Sequence, residues 1–246
     1  MLYSHHKNLK WKLRILVSLL VMIGAAFLAF LLWASDYYHA GEMAVSALQS
    51  DNAVTVEKTK SGWLFDGPSD DDLLLFYPGG KVEETAYAPL LHILAAEEMD
   101  VYLFSMPLRL AILGLNAADD VVRENRYERY YIGGHSLGGA MAAIYGAKHQ
   151  EEIKGIILLA AYPTKKTGTD TLLIFGSEDG VLNMARVEEA EKLVSGRYDA
   201  NCIDGGNHAR FGDYGDQSGD GKAGISAQRQ WDLTVDRICA FLSSVR

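Results

Sequence analysis

From Asp72 onward, short apolar runs alternate with stretches of helical period, and that alternation restricts the fold more than any other feature of the chain. The runs are Leu73–Pro78, Val101–Met106, Tyr130–Gly134, Ile153–Ala161, Thr171–Gly176 and Tyr198–Ile203. Most of them lack the polar alternation of a strand with one wet face, so they read as strands buried on both sides. Helical period marks Glu84–Glu98, Asn116–Tyr127, Leu137–His149, Leu182–Val194 and Ile225–Leu242. Strand and helix in turn predict an α/β fold with a mostly parallel central sheet and helices on both faces. Before this series, "AVTVEKTKSGWLFDG" (residues 53–67) has β-branched alternation, a Lys-Ser-Gly break and a second apolar run. It predicts an antiparallel hairpin at one sheet edge. With 246 residues, 49% of them hydrophobic, the chain can bury a sizeable core.

The N-terminus departs from this pattern. Ile15–Ala34 carries no charge and matches the length of a bilayer-spanning helix. Trp11 and Trp33 lie near its ends, where aromatic rings favour the membrane interface. Lys7, Lys10, Lys12 and Arg14 precede it, and the next basic residue is Lys58. The asymmetry predicts a cytoplasmic tail (1–14), a transmembrane signal-anchor (15–34), a stalk (35–52) and an extracytoplasmic globular domain (53–246). A cleaved signal peptide fits less well: its apolar core is usually about 7–15 residues, and "LWASD" is a poor cleavage site.

"YIGGHSLGGAMAA" (residues 131–143) places Ser136 between Gly134 and Gly138, where a predicted strand meets a predicted helix. Such a junction strains the serine backbone and lifts its hydroxyl above the carboxyl end of the sheet. The flanking positions must be small, because a Cβ there would strike the neighbouring strand or helix. A serine hydroxyl needs a base to take its proton. His5 and His6 fall in the tail, His39 in the stalk, and His92 and His149 within helices. His135 precedes the serine, with its ring directed away from the hydroxyl. His208, just after the last strand, lies on the same sheet end as Ser136 and is the expected base. The base needs a carboxylate to hold its tautomer. Asp179, in "FGSEDG", can turn in towards the histidine loop, with Glu178 facing solvent. Asp204 is a rival on the histidine loop itself, whereas Asp170 lies at the wrong end of its strand. Two donors for an oxyanion are expected from the backbone of Leu137 and from Gly80 or Lys81 in "YPGGKVE".

These features identify the chain, over roughly Val54 to Arg246, as similar to serine hydrolases of the α/β-hydrolase superfamily. More narrowly it resembles a group of small membrane-anchored bacterial α/β hydrolases of poorly defined substrate. The resemblance rests on "YPGGKVE", "MPLRLAILGLNAA", "GGHSLGGAMAA", "FGSEDGV" and "GGNHARFGDYGDQSGDGKAGIS". It implies the α/β-hydrolase fold, the Ser136–Asp179–His208 triad and the oxyanion turn. The function expected is cleavage of a carboxylic ester or related acyl bond through an acyl-enzyme on Ser136. An acyltransferase shares the first half-reaction, and a binding protein on a hydrolase scaffold is the non-catalytic alternative. Lipases of this fold often carry a cap after the elbow helix and its next strand. Here that connection is only Tyr162–Asp170, which predicts a minimal cap or none and an open site. Such a site suits small soluble esters or acyl groups on envelope components.

The net charge of −9 and the lack of a basic stripe beyond the N-terminus argue against a nucleic-acid partner. No cofactor or metal motif is present. The acids of Asp213–Ser226 resemble a calcium loop read from Asp216 through Ser218, Asp220 and Gly221, but Ala227 stands where a bidentate glutamate belongs. A hydrogen-bonded loop that positions His208 is expected instead. Cys202 and Cys239 are expected to be buried and reduced, although a disulfide is permitted outside the cytoplasm.

Overall fold

The computed structural model describes residues 2–69, 71–97 and 99–245, with side chains from residue 11 onward. The side chains of Lys7 and Lys10 therefore lie outside the described residues, as do Met1, Arg246 and Glu98, the expected end of a helix. The chain forms two compact units, 1–37 and 38–246. The first is a single helix, α1 (Leu2–Ser35), and within it Trp11–Ser35 is long and apolar enough to cross a membrane.

The second unit is built on eight strands: β1 (Thr55–Lys58), β2 (Gly62–Asp66), β3 (Asp72–Tyr77), β4 (Asp100–Phe104), β5 (Arg129–His135), β6 (Ile153–Leu159), β7 (Asp170–Gly176) and β8 (Tyr198–Ile203). Their order in the sheet is β1-β2-β4-β3-β5-β6-β7-β8. The hairpin β1–β2 is antiparallel at one edge and β2 meets β4 antiparallel, while every other pairing is parallel. The chain runs from β3 outward to β4 and then returns to the far side of β3 as β5. That reversal opens a crevice at the carboxyl ends of β3 and β5, where α/β sheets bind ligands.

Side chains of the inner strands alternate between two cores, as the period of a strand requires. Leu74, Phe76, Tyr131 and Ile157 pack on one face with helices α3 (Ala88–Ala95) and α7 (Ala227–Val245). Leu73, Leu75, Ile132 and Leu158 pack on the other. That face is covered by α4 (Ala118–Glu124) and α5 (Leu137–Lys148), with Val187 of α6 (Met184–Ala190) at its margin. The connection from β6 to β7 contains no helix, so the chain has no cap there.

The expected stalk is corrected from Tyr38 on, because this segment is part of the globular unit. The Tyr38 amide donates to the Lys81 carbonyl (2.8 Å), and the Glu83 amide donates to the Tyr38 carbonyl (2.9 Å). A short helix, α2 (Glu42–Ser46), follows, with Ala44 fully buried. The Gly41 amide donates to the Asp213 carbonyl and the Ala44 amide to the Asp213 carboxylate. Its sequence looked like a tether because these partners lie far along the chain. The cysteines also differ from expectation. Both are reduced, but Cys202 on edge strand β8 is exposed and Cys239 on α7 is half-buried.

Candidate active site

Ser136 joins β5 to α5 with φ 51° and ψ −121°, a region that side chains other than glycine seldom enter. Its amide donates to Leu159 at the end of β6 (2.9 Å), which fixes the turn to the sheet. A Cβ on Gly134 would come 2.5 Å from the Tyr77 carbonyl oxygen, and one on Gly138 would come 2.2 Å from the same atom. The small flanking residues are therefore required by close approach of β3.

The histidine loop and the acid loop meet at the same edge. His208 Nδ1 lies 2.9 and 3.1 Å from the two carboxylate oxygens of Asp179, and both side chains are fully out of solvent. The Asp179 carboxylate also accepts the amides of Val181 (2.9 Å) and Leu182 (2.8 Å), so it cannot swing away. An ionised carboxylate on Nδ1 holds the proton on that nitrogen and leaves Nε2 as the acceptor. Nε2 of His208 is buried and has no hydrogen-bond partner among the described residues. Ser136, Leu137 and His208 line one cavity of about 250 Å³, with Ala160, Tyr162 and Leu182 among its walls. Glu178 and Asp204 are exposed, and the carboxylate that meets the His208 ring among the described residues is that of Asp179.

Of the expected oxyanion donors, Lys81 is corrected. Its amide donates to the Arg109 carbonyl (2.9 Å), which removes it from the site. A Cβ on Gly80 would fall 2.8 Å from Leu137 Cδ2, so Gly80 lies directly against the residue after the serine. Neither Gly80 nor Leu137 donates its amide in any backbone hydrogen bond found outside the regular elements among the described residues. Leu137 is the first residue of α5, where amides have no partner within the helix.

Three further residues support the site. Asp220 receives four backbone amides: His208 (3.2 Å), Gly180 (3.1 Å) and Gly221 (2.8 Å) on one oxygen, and Ala209 (2.8 Å) on the other. It ties the loop of His208 to the loop of Asp179, the positioning role expected of this segment. Gln230, buried on α7, accepts the Asn207 amide (3.0 Å) and donates to the Asn207 carbonyl (2.8 Å). His135 lies under His208, with ring centroids 4.6 Å apart, and its Nδ1 is 2.8 Å from the Tyr87 hydroxyl. Burial first, and the neighbouring His208 second, hold His135 well below the ordinary imidazole value, so its ring stays neutral.

An eight-stranded, mostly parallel sheet with a strained serine at its switch point defines an α/β-hydrolase architecture. Residues 73–232 match the family described as "Alpha/beta hydrolase family", and the chain belongs to that family. No curated protein matches it by sequence. Among solved structures, a CIB-like hydrolase from Thermoplasma acidophilum is 18% identical over 76% of this chain and 99% of its own, with a TM-score of 0.56. A membrane phospholipase A, described as a bacterial virulence factor, is 14% identical over 95% of this chain and 99% of its own, with a TM-score of 0.58. Est1E from Butyrivibrio proteoclasticus is 12% identical over 78% of this chain and 100% of its own, with a TM-score of 0.55.

Proposed function

We propose that the chain is a membrane-anchored serine hydrolase that cleaves a carboxylic ester or related acyl bond. One observation carries the reading: His208 is held at Nδ1 by a buried carboxylate while its Nε2 is left without a partner, beside the cavity it shares with strained Ser136.

In the proposed reaction, Ser136 Oγ attacks the substrate carbonyl carbon as its proton passes to His208 Nε2. The amides of Leu137 and Gly80 receive the developing oxyanion. Asp179 stabilises the imidazolium without taking its proton. Collapse of the tetrahedral intermediate breaks the carbonyl–oxygen bond, and the leaving alcohol takes the proton from Nε2. Water then attacks the acyl-enzyme and gives a proton to Nε2. The proton returns to Oγ as the acid departs. The apolar helix α1 supports membrane anchoring, with the tail cytoplasmic and the domain outside as charge asymmetry suggests. The small uncapped cavity favours small soluble esters or acyl groups on envelope components.

The test is labelling by a fluorophosphonate probe, which reacts with an activated serine. Wild type should label and Ser136→Ala should not. A folded wild type that stays unlabelled would overturn the reading in favour of a binding protein.

A further inference from the structure

We infer that the carboxyl edge of the sheet, which bears the candidate active site, docks on a lipid bilayer, and that the ester cleaved is carried by an amphiphile of that bilayer. This rests on the hydrolase and anchor readings above, and it chooses between the two substrate classes they leave open.

The first observation is where the globular unit exposes apolar surface. Leu108, Ile112 and Leu113 lie on the loop after β4, while Val181, which lines the cavity, and Met184, the first residue of α6, follow β7. Ile112 is 59% exposed and Leu113 51%. The remaining two, Met43 and Val45, sit on α2, which Asp213 ties to the loop after β8. Among the described residues, no other large aliphatic side chain of this unit is exposed, and none of these is at the amino edge of the sheet. Single exposed apolar residues are ordinary, but five of these seven lie on the loops that follow β4 and β7 at one sheet edge, and such a concentration marks a surface made to be covered.

The second observation names what covers it. Tyr38 is the first residue of the unit, and its hydrogen bonds hold it to Lys81 and Glu83 on the loop after β3, with its hydroxyl accepting from Ser218 on the loop after β8. The chain therefore enters the globular unit at the carboxyl edge. Tyr38 follows Ser35, the last residue of the apolar helix, by three positions. Three residues reach at most about 11 Å even when fully extended. With α1 in a bilayer, that short tether makes the lipid surface the partner within reach of the entry residue Tyr38. Amphipathic apolar surface held at such an interface enters the boundary between headgroups and acyl chains. An amphiphile could then present its ester to the open cavity while its apolar part stays among the exposed side chains.

The experiment uses the full chain in phosphatidylcholine vesicles, with Cys202 and Cys239 replaced by serine. An environment-sensitive fluorophore is placed at Ile112→Cys or, as a control, at Glu151→Cys, an exposed site just before β6. Quenching by spin-labelled lipid should be strong at 112 and weak at 151. In parallel, the double variant Ile112→Glu, Leu113→Glu should lose about tenfold in turnover of a vesicle-borne ester, from the lost burial of two apolar side chains. Its turnover of a soluble short-chain aryl ester should stay unchanged, which also reports that it is folded. Equal quenching at the two sites, or undiminished turnover of the vesicle ester, would overturn the docking inference while leaving the hydrolase reading intact. A wild type that cleaves neither ester would sink the hydrolase reading, and the substrate inferred here with it.

Discussion

At the amino edge of the sheet, Asp72 and Asp100 are buried and met by donors: Arg129 pairs with Asp72, and Asp100 accepts from Gly67 (2.8 Å) and the Tyr127 hydroxyl (2.5 Å). At the carboxyl edge the described residues include five non-glycine positions with positive φ: Lys81, Leu108, Arg109, Ser136 and Ala160, on the loops after β3, β4, β5 and β6. His208 Nε2 is also left unpaired there. Among the described residues, no such backbone occurs at the amino edge. Each strained residue costs on the order of 1–3 kcal/mol and persists only when its surroundings hold it. One end of the same strands pairs its buried carboxylates with donors, and the other stores strain around a cavity.

If that division is right, substitutions at the two edges should separate activity from stability. The largest effect belongs to Ser136→Ala and His208→Ala, which should each lower kcat on aryl esters by about 10⁴–10⁶, because members of the proposed triad would act as a unit. Thermal melting of Ser136→Ala should not fall, since no contact that holds the elbow is lost. Asp179→Asn should cost about 10⁴ in kcat. Asp204→Asn should cost nothing measurable, and the reverse result would transfer the role of the acid.

Asp220→Asn sharpens the comparison within the carboxyl edge. It should lower kcat by about 10²-fold through a small displacement of His208, and leave KM near its original value. A matching loss in KM would mean that the loop shapes the substrate pocket instead. At the amino edge, Arg129→Met should leave Asp72 buried without its ion-pair partner and cost about 3 kcal/mol of stability. Its activity per folded molecule should be unchanged, as read by kcat on the soluble fraction. Lost activity in a stable Arg129→Met protein would break the division between the edges.

The smallest effect concerns His135. Burial lowers its affinity for protons in the folded state, so the unfolded chain binds more protons as the solution becomes acidic. The associated stability is present above the ordinary imidazole value of about 6.5 and is lost as pH falls below it. Wild type should therefore melt at lower temperature at pH 5 than at pH 7, by a margin that His135→Phe reduces. An equal drop in both proteins would show that another group dominates.

Much of the molecule was legible from local pattern. Apolar runs without alternation marked strands covered on both faces, and a serine between small residues at a strand–helix junction marked the elbow. Asp179 and His208 could be chosen because each follows a strand, and strand order in a parallel sheet places all such loops at one edge. The segment 38–52 was not legible as part of the domain, because its partners Lys81, Glu83 and Asp213 are distant in sequence and bind largely through backbone.

The sequence by itself determined the fold class, the apolar helix and the residue types offered to the site, since each depends on chemistry repeated over neighbouring positions. Only the tertiary structure decided how the loops lock together. It put the Lys81 amide on Arg109, gathered four amides on Asp220 and slid His135 beneath His208. Those contacts join segments that have no periodic relation to one another. Their partners are set by where the ends of the strands bring the backbone, and no local pattern encodes that meeting.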